Sequence, residues 1–178
     1  EIMSSDWSSD VCSSDLNYAQ QAASTPGNTD VLVFHGSTDA PTVRVDEVLQ
    51  GAGNLITGLS YGAFDPSASY LNLPTNDYVL QVQDNGQTTT VGDFVAPLQT
   101  LGLQDSALVV VASGFLNPTN NSNGPDFGLW AALPQGGPLV ELPRNTVPVK
   151  FIHNSSDPAA DTVDIWYNNT RAIPNFAY

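Results

Sequence analysis

The chain contains two histidines, and each opens the same five-residue pattern: His35-Gly-Ser37-Thr-Asp39 and His153-Asn-Ser155-Ser-Asp157. A His, a Ser and an Asp are the side chains of an acyl-transfer triad. There the carboxylate orients the imidazole and the imidazole takes the serine proton. On an extended strand, positions i, i+2 and i+4 share a face, so a strand would bring all three together. A structural role competes with this and is favoured. The pattern stands where an apolar run enters a turn. Ser and Asp side chains bond backbone N–H groups two residues on, and Pro41 fixes the φ that follows. No G-x-S-x-G elbow surrounds either serine. His35, Ser37, Asp39, His153, Ser155 and Asp157 are therefore read as a repeated structural motif. No catalytic, cofactor or metal residue is assigned, and no cofactor is expected.

Two further sets of residues have chemical potential. Asn117–Gly128 (NPTNNSNGPDFG) is rich in oxygen ligands, and Asp39, Asp46, Asp84 and Asp126 are carboxylates available to a hard cation such as calcium. The D-x-[DN]-x-[DN]-G signature is absent, so a solvated loop is the favoured reading. Tyr61, Phe64, Tyr70, Tyr78, Phe94, Phe115, Phe127 and Trp130 could line a carbohydrate platform. Most of them stand at alternating strand positions or beside Gly and Pro, which favours core and corner packing. Asn120, Asn154 and Asn168 begin N-x-S/T sequons, read as coincidence in Asn-rich sequence. No P-loop, dinucleotide fingerprint or zinc spacing occurs.

The elements that would carry these residues are short and β-rich. Candidate strands are Val31–His35, Thr42–Val48, Ala68–Leu73, Tyr78–Gln83, Thr88–Val95, Ala107–Ser113, Phe127–Ala132 and Pro138–Leu142. Tyr78, Leu80 and Val82 alternate with Val79, Gln81 and Gln83, the period of a half-buried strand. Asp84-Asn85-Gly86 reads as a hairpin turn, because Asn and Gly tolerate positive φ. Ala107–Ala112 is apolar on both faces and is expected at the centre of the core. Leu98–Leu103 is long enough for one turn of helix. Thirteen Pro and fourteen Gly spread along the chain suit many short strands, the pattern of a β-sandwich.

Composition narrows the function. With 18 Asp+Glu against 4 Lys+Arg, the net charge is −14. A nucleic-acid binder needs clustered Lys and Arg to neutralise phosphates, and anionic lipid needs the same. Hydrophobic residues make up 41%, enough for a core. No apolar run approaches the ~18 residues of a membrane helix. One Cys excludes an internal disulfide.

The opening sixteen residues, Glu1–Leu16, have no apolar period and repeat Ser-Ser-Asp three times. Asp6–Leu16 (DWSSDVCSSDL) resembles the in-frame translation of a widely used short-read sequencing adapter. Glu1–Leu16 is therefore expected to be a disordered artefact and is set aside for fold reasoning. Cys12 and Trp7 go with it, and the remaining 162 residues carry 14 acids and 4 bases, a net −10. Residues 17–30, NYAQQAASTPGNTD, read as a linker.

The strongest internal signal is a repeat. Val33–Pro41 (VFHGSTDAP) aligns with Phe151–Ala159 (FIHNSSDPA), and Thr42–Val45 aligns with Thr162–Ile165. The two histidines lie 118 positions apart, close to the ~100 residues of a sandwich domain. One complete domain over 31–146 is expected, with the truncated start of a second copy over 147–178. On this reading the chain is a fragment cut at both ends.

The string V-F-H-G-S-T-D-A-P-T-V-R-V, then L-S-Y-G-A-F, Y-L-N-L-P-T-N-D-Y-V-L-Q-V and ALVVVASG, resembles the DUF4397 domain family. The resemblance covers Val31–Leu142 and restarts at Val147. Two positions depart from it: Arg44 stands where the family often has Asp, and Asp77 where Gly is common. The resemblance implies tandem, secreted or surface-exposed bacterial domains, and no chemistry. The expected fold class is an all-β, immunoglobulin-like or transthyretin-like antiparallel β-sandwich. The expected function is a non-enzymatic extracellular module for surface interaction, adhesion or spacing. Its expected partners are an extracellular protein or glycan and neighbouring repeats, with no nucleic acid and no membrane span in this chain. A carbohydrate-binding module and a hydrolase using His35, Ser37 and Asp39 are the alternatives.

Overall fold

The computed structural model describes residues 20–65, 70–146, 150–167 and 170–177. The adapter-like opening therefore lies outside the described residues, as do the first residues of the expected linker, residues 147–149 and Asn168-Asn169. The chain divides into two compact units, Glu1–Asn145 and Thr146–Tyr178.

The first unit is built from β1 (Asn28–His35), β2 (Val43–Glu47), β3 (Gly53–Leu59), β4 (Phe64–Asp65), β5 (Leu71–Pro74), β6 (Asp77–Asp84), β7 (Thr90–Pro97), β8 (Ala107–Ser113), β9 (Gly128–Ala132) and β10 (Val140–Leu142). One sheet runs β10-β9-β8-β1. The far edge of β1 is shared by β5 along its first half and β4 along its second. The other sheet runs β3-β2-β6-β7. Among the described strands every pairing is antiparallel except β1 with β8, which run parallel from Asp30↔Ala107 to His35↔Ala112.

The two sheets close over one apolar cluster. Val31 and Val33, Leu108, Val110 and Ala112, and Leu129 and Ala131 face inward from the larger sheet. Val43, Val45, Ile56, Leu59, Tyr78, Val82, Phe94 and Ala96 answer from the smaller one, and Leu98 and Leu103 join the same cluster. This is a β-sandwich, and its period-2 alternation is what the strand sequences carry. Tyr78 also donates its hydroxyl to the Pro74 carbonyl four residues upstream, at 2.5 Å, as a tyrosine corner does.

Several local expectations are corrected. Asn28–Asp30 belongs to β1 rather than to a linker, and residues 21–23 lie alongside 105–107 through Ala107 N–Gln21 O and Ala23 N–Asp105 O at 2.9 Å. The polar composition that reads as linker is satisfied internally. The buried Asp30 carboxylate accepts from Ser24 N and from the side-chain amides of Gln20 and Asn72. The strand β3 was not expected. Its sequence, GNLITGL, is an exposed edge with only Ile56 and Leu59 buried, so it lacks a full alternation. Positive φ in the β6–β7 hairpin falls on Gln87, at 58°, and not on Asn85 or Gly86. There Asp84 accepts from Gly86 N, Thr88 N and Thr89 N, which fixes a wider loop. Leu98–Leu103 forms hydrogen-bonded turns and no helix.

The second unit holds β11 (Thr162–Tyr167) and β12 (Thr170–Ala177), paired antiparallel. A 3-10 turn, Pro158–Ala160, precedes them. Phe151–His153, the stretch that aligns with the end of β1, is not a strand. In the first unit β1 is held between β8 and β4/β5. Among the described residues of the second unit, β11 and β12 pair with each other and no other strand pairing is present.

Candidate functional site

Only the first member of the His-Ser-Asp pattern lies on a strand. β1 ends at His35, and Ser37 and Asp39 follow in the turn before β2. The shared strand face that would assemble a triad is therefore not formed. His35 and Ser37 are both 0% exposed. The His35 Nε2 lies 3.0 Å from the Pro41 carbonyl, and its Nδ1 has no hydrogen-bond partner among the described residues. Ser37 donates to the Gly114 carbonyl at 2.7 Å, not to His35. Asp39 accepts from Leu116 N and Asn117 N at 2.9 Å and from the Asn121 side chain at 3.0 Å. Burial pushes the Asp39 carboxyl up, but these backbone donors outweigh it and hold the group below the usual carboxylate range. The bonds expected to be local thus run to a loop 77 positions away.

Gly114 is central to this arrangement. Its φ is +82°, and a Cβ there would collide with the Asp126 carbonyl. Ser37 and Asp39 together fasten the loop after β8 to the turn before β2. In the second unit the same side chains bond locally. Ser155 N donates to His153 Nδ1 at 3.3 Å, Asp157 N to Ser155 Oγ at 3.4 Å, and Ala159 N to Asp157 Oδ1 at 2.9 Å.

Carboxylates serve as backbone caps elsewhere too. Glu47, 2% exposed, accepts from Leu49, Gln50 and Ala52 N, and these bonds outweigh its burial and lower its pKa. Asp77 accepts from the hydroxyl and N–H of Thr100. Arg44 pairs with Asp46 at 2.7 Å along the same strand. Three of the four carboxylates considered for a cation are thus engaged separately: Asp39 on the loop, Asp46 with Arg44, Asp84 in its hairpin. Among the described residues no three His, Cys, Asp or Glu groups lie close enough to share an ion.

The aromatics divide. Tyr70, Tyr78, Phe94 and Phe127 are buried, and Phe115 packs over Gly124. Phe64 and Trp130 belong to a different environment, with Phe34, which the sequence did not single out. Val31 and Val33 face the core, so Phe34 points to the outer face of the larger sheet. Its register neighbours there are Phe64 on one side and Val111 on the other, and beyond Val111 come Trp130 and Glu141. The Phe34 and Phe64 ring centroids are 4.7 Å apart. An added Cβ would stand 3.2 Å from the Phe34 ring at Gly36 and 2.7 Å from the Trp130 ring at Gly128. Each ring lies against a glycine two residues away. Phe34, Val111 and Trp130 are half-buried. Toward the other end of the sheet the outer face is closed: Leu32 is buried with Tyr70 and Ala107. The signal that would have found Phe34 is the aromatic-x-Gly spacing, seen also at Gly92-x-Phe94.

No known protein family, characterised protein or solved structure matches this chain.

Proposed function

We propose that this chain is a non-enzymatic interaction module of an extracellular surface, a β-sandwich that works as one unit of a series. The observation that carries this reading is the use made of Ser37. The serine that would be a nucleophile is buried and gives its proton to the Gly114 carbonyl, and Asp39 caps the neighbouring loop rather than orienting His35. Residues with the composition of a triad hold two loops together. The family resemblance supports the extracellular setting and the series. A net charge of −10 beyond the adapter-like opening supports a soluble surface that repels its like.

Substituting His35 tests the reading directly. His35→Ala and Asp39→Ala are expected to lower the melting temperature and to change no catalytic rate, because no reacting group is removed. A screen of ester and glycoside substrates in which the wild-type chain turns over and folded Ser37→Ala does not would replace this function by hydrolysis.

A further inference from the structure

Strand directions fix where the chain enters and leaves the first unit. β1 and β8 run parallel, β9 runs against β8, and β10 runs against β9. β1 and β10 therefore point the same way, although β8 and β9 stand between them. β1 is the first strand described in the unit and β10 the last. The chain thus enters at the end of the sandwich where β1 begins and leaves at the opposite end, where β10 stops. An antiparallel β1–β8 pairing would have brought both points to one end.

Both points are anchored. At the entry, residues 21–23 lie alongside 105–107, Ser24 N donates to the buried Asp30 carboxylate at 2.8 Å, and Gly27 N donates to Asp105 Oδ1 at 2.6 Å. At the exit the chain crosses from the larger sheet to the edge of the smaller. β10 ends at Leu142, and residues 143–145 then lie along β7. Val95 N donates to Pro143 O and Asn145 N to Asp93 O, each at 2.8 Å. Arg144 fastens this strap. Its guanidinium stands 5.0 Å from the Phe94 ring centre and donates to the Phe127 carbonyl at 2.7 Å. Phe94 belongs to β7 in the smaller sheet and Phe127 precedes β9 in the larger, so one side chain grips both sheets.

This geometry decides how the unit meets tension. Strand hydrogen bonds run across the strands. Tension between entry and exit acts along β1 and β10, so it slides strands past one another and loads each ladder as a whole. Tension between two points at the same end opens a ladder one bond after another. Three ladders lie on the end-to-end path. β1–β8 runs from Asp30↔Ala107 to His35↔Ala112, β8–β9 from Val109↔Ala132 to Ser113↔Gly128, and β9–β10 from Val140↔Ala131 to Leu142↔Leu129. The last is the shortest, and it is the one that the strap over residues 143–145 reinforces.

We infer that the first unit bears tension: it is a load-carrying link, strained between the start of β1 and residue 145 and locked by Arg144. The inference rests on the reading of the chain as one unit of a series, and it supplies the work that such a unit does. Rupture under load is set by the unfolding barrier rather than by equilibrium stability, so one fold resists differently in two directions.

The test is single-molecule pulling on the full chain, with Cys12→Ser removing the one native thiol and new cysteines as handles. Thr25→Cys with Asn145→Cys loads the first unit end to end. Thr25→Cys with Gln135→Cys loads it at one end, because the β9–β10 loop lies at the end where β1 begins. All three positions are exposed, and neither pair of handles strains the second unit. Expected is a several-fold higher rupture force end to end, with the unfolding midpoints of the two proteins within a few degrees. Arg144→Ala is expected to bring the end-to-end force down toward the one-end value and to leave the one-end force unchanged, whereas a merely destabilising change lowers both. Equal forces in the two directions, or a weaker end-to-end force, overturn the load-bearing role and leave the module reading standing. An Arg144→Ala loss of the same size in both directions overturns the lock. The module reading fails separately, through Ser37-dependent turnover.

Discussion

The stretches around His35 and His153 have the same five-residue pattern and opposite outcomes. In the first unit His35 and Ser37 are fully buried, and Ser37 and Asp39 reach a loop 77 positions away. In the second, Asp157 is exposed and the motif's bonds close within the turn. Side-chain chemistry is shared, and the difference lies in what stands opposite. The loop after β8 presents the Gly114 carbonyl and the Leu116 and Asn117 N–H groups to the first motif. The described second unit has a single hairpin, and Ile152 and Trp166 are 74% and 61% exposed. A turn motif of Ser and Asp satisfies itself locally by default and takes a tertiary partner when one is supplied.

The largest effect should come from the backbone that receives the motif. Gly114→Ala combines a left-handed φ with a collision against Asp126, and should cost about 2–4 kcal/mol in urea unfolding. A smaller cost would mean that the loop is not fixed by this glycine. Next, His35→Ala empties a fully buried position and should cost about 2–4 kcal/mol, whereas His153→Ala should cost under about 1 kcal/mol. Equal costs would end the contrast between the units. Ser37→Ala leaves the Gly114 carbonyl without its donor, at about 1–2 kcal/mol, against about 0.5 kcal/mol or less for Ser155→Ala. Hydrogen exchange sharpens the same point: the Leu116 and Asn117 amides should lose protection in Asp39→Ala, while the Ala159 amide should be fast already.

Acid should loosen the first unit through its caps. The Asp30, Asp39 and Glu47 carboxyls have folded pKa values below their ordinary 3.8 and 4.5. Their contribution is complete above those ordinary values and is lost as pH falls through the lower folded values. The unfolding midpoint is therefore expected to be level above about pH 5 and to fall steadily below about pH 4. A rise in stability on acidification would contradict the capping role. The smallest effect belongs to the ion pairs. Arg44–Asp46 and Arg171–Asp164 should each show little coupling in a double-mutant cycle, the more exposed second pair less.

Much of the fold was readable in the chain. Strand β8 was expected at the residues where it stands, because an apolar run on both faces belongs between two neighbours in a covered sheet. Strand β6 kept its period of two. Strand β3 was not readable, since an edge strand with two buried residues has little alternation to show. The candidate surface was readable only in part. Trp130 and Phe64 were among the aromatics considered, while Phe34 sat inside VLVFH, where every residue passes for core.

Sequence by itself determined the periodicity, the turns and the residue types of the motif, because these depend on neighbours along the chain. It did not determine that β1 pairs in parallel with β8, that Asp39 holds Leu116, or that Phe34 and Trp130 share a face with one strand between them. Those depend on which strands compete successfully for each other's edges. That competition is settled by burying two sheets against one another, a free energy that belongs to the whole core and to no local segment.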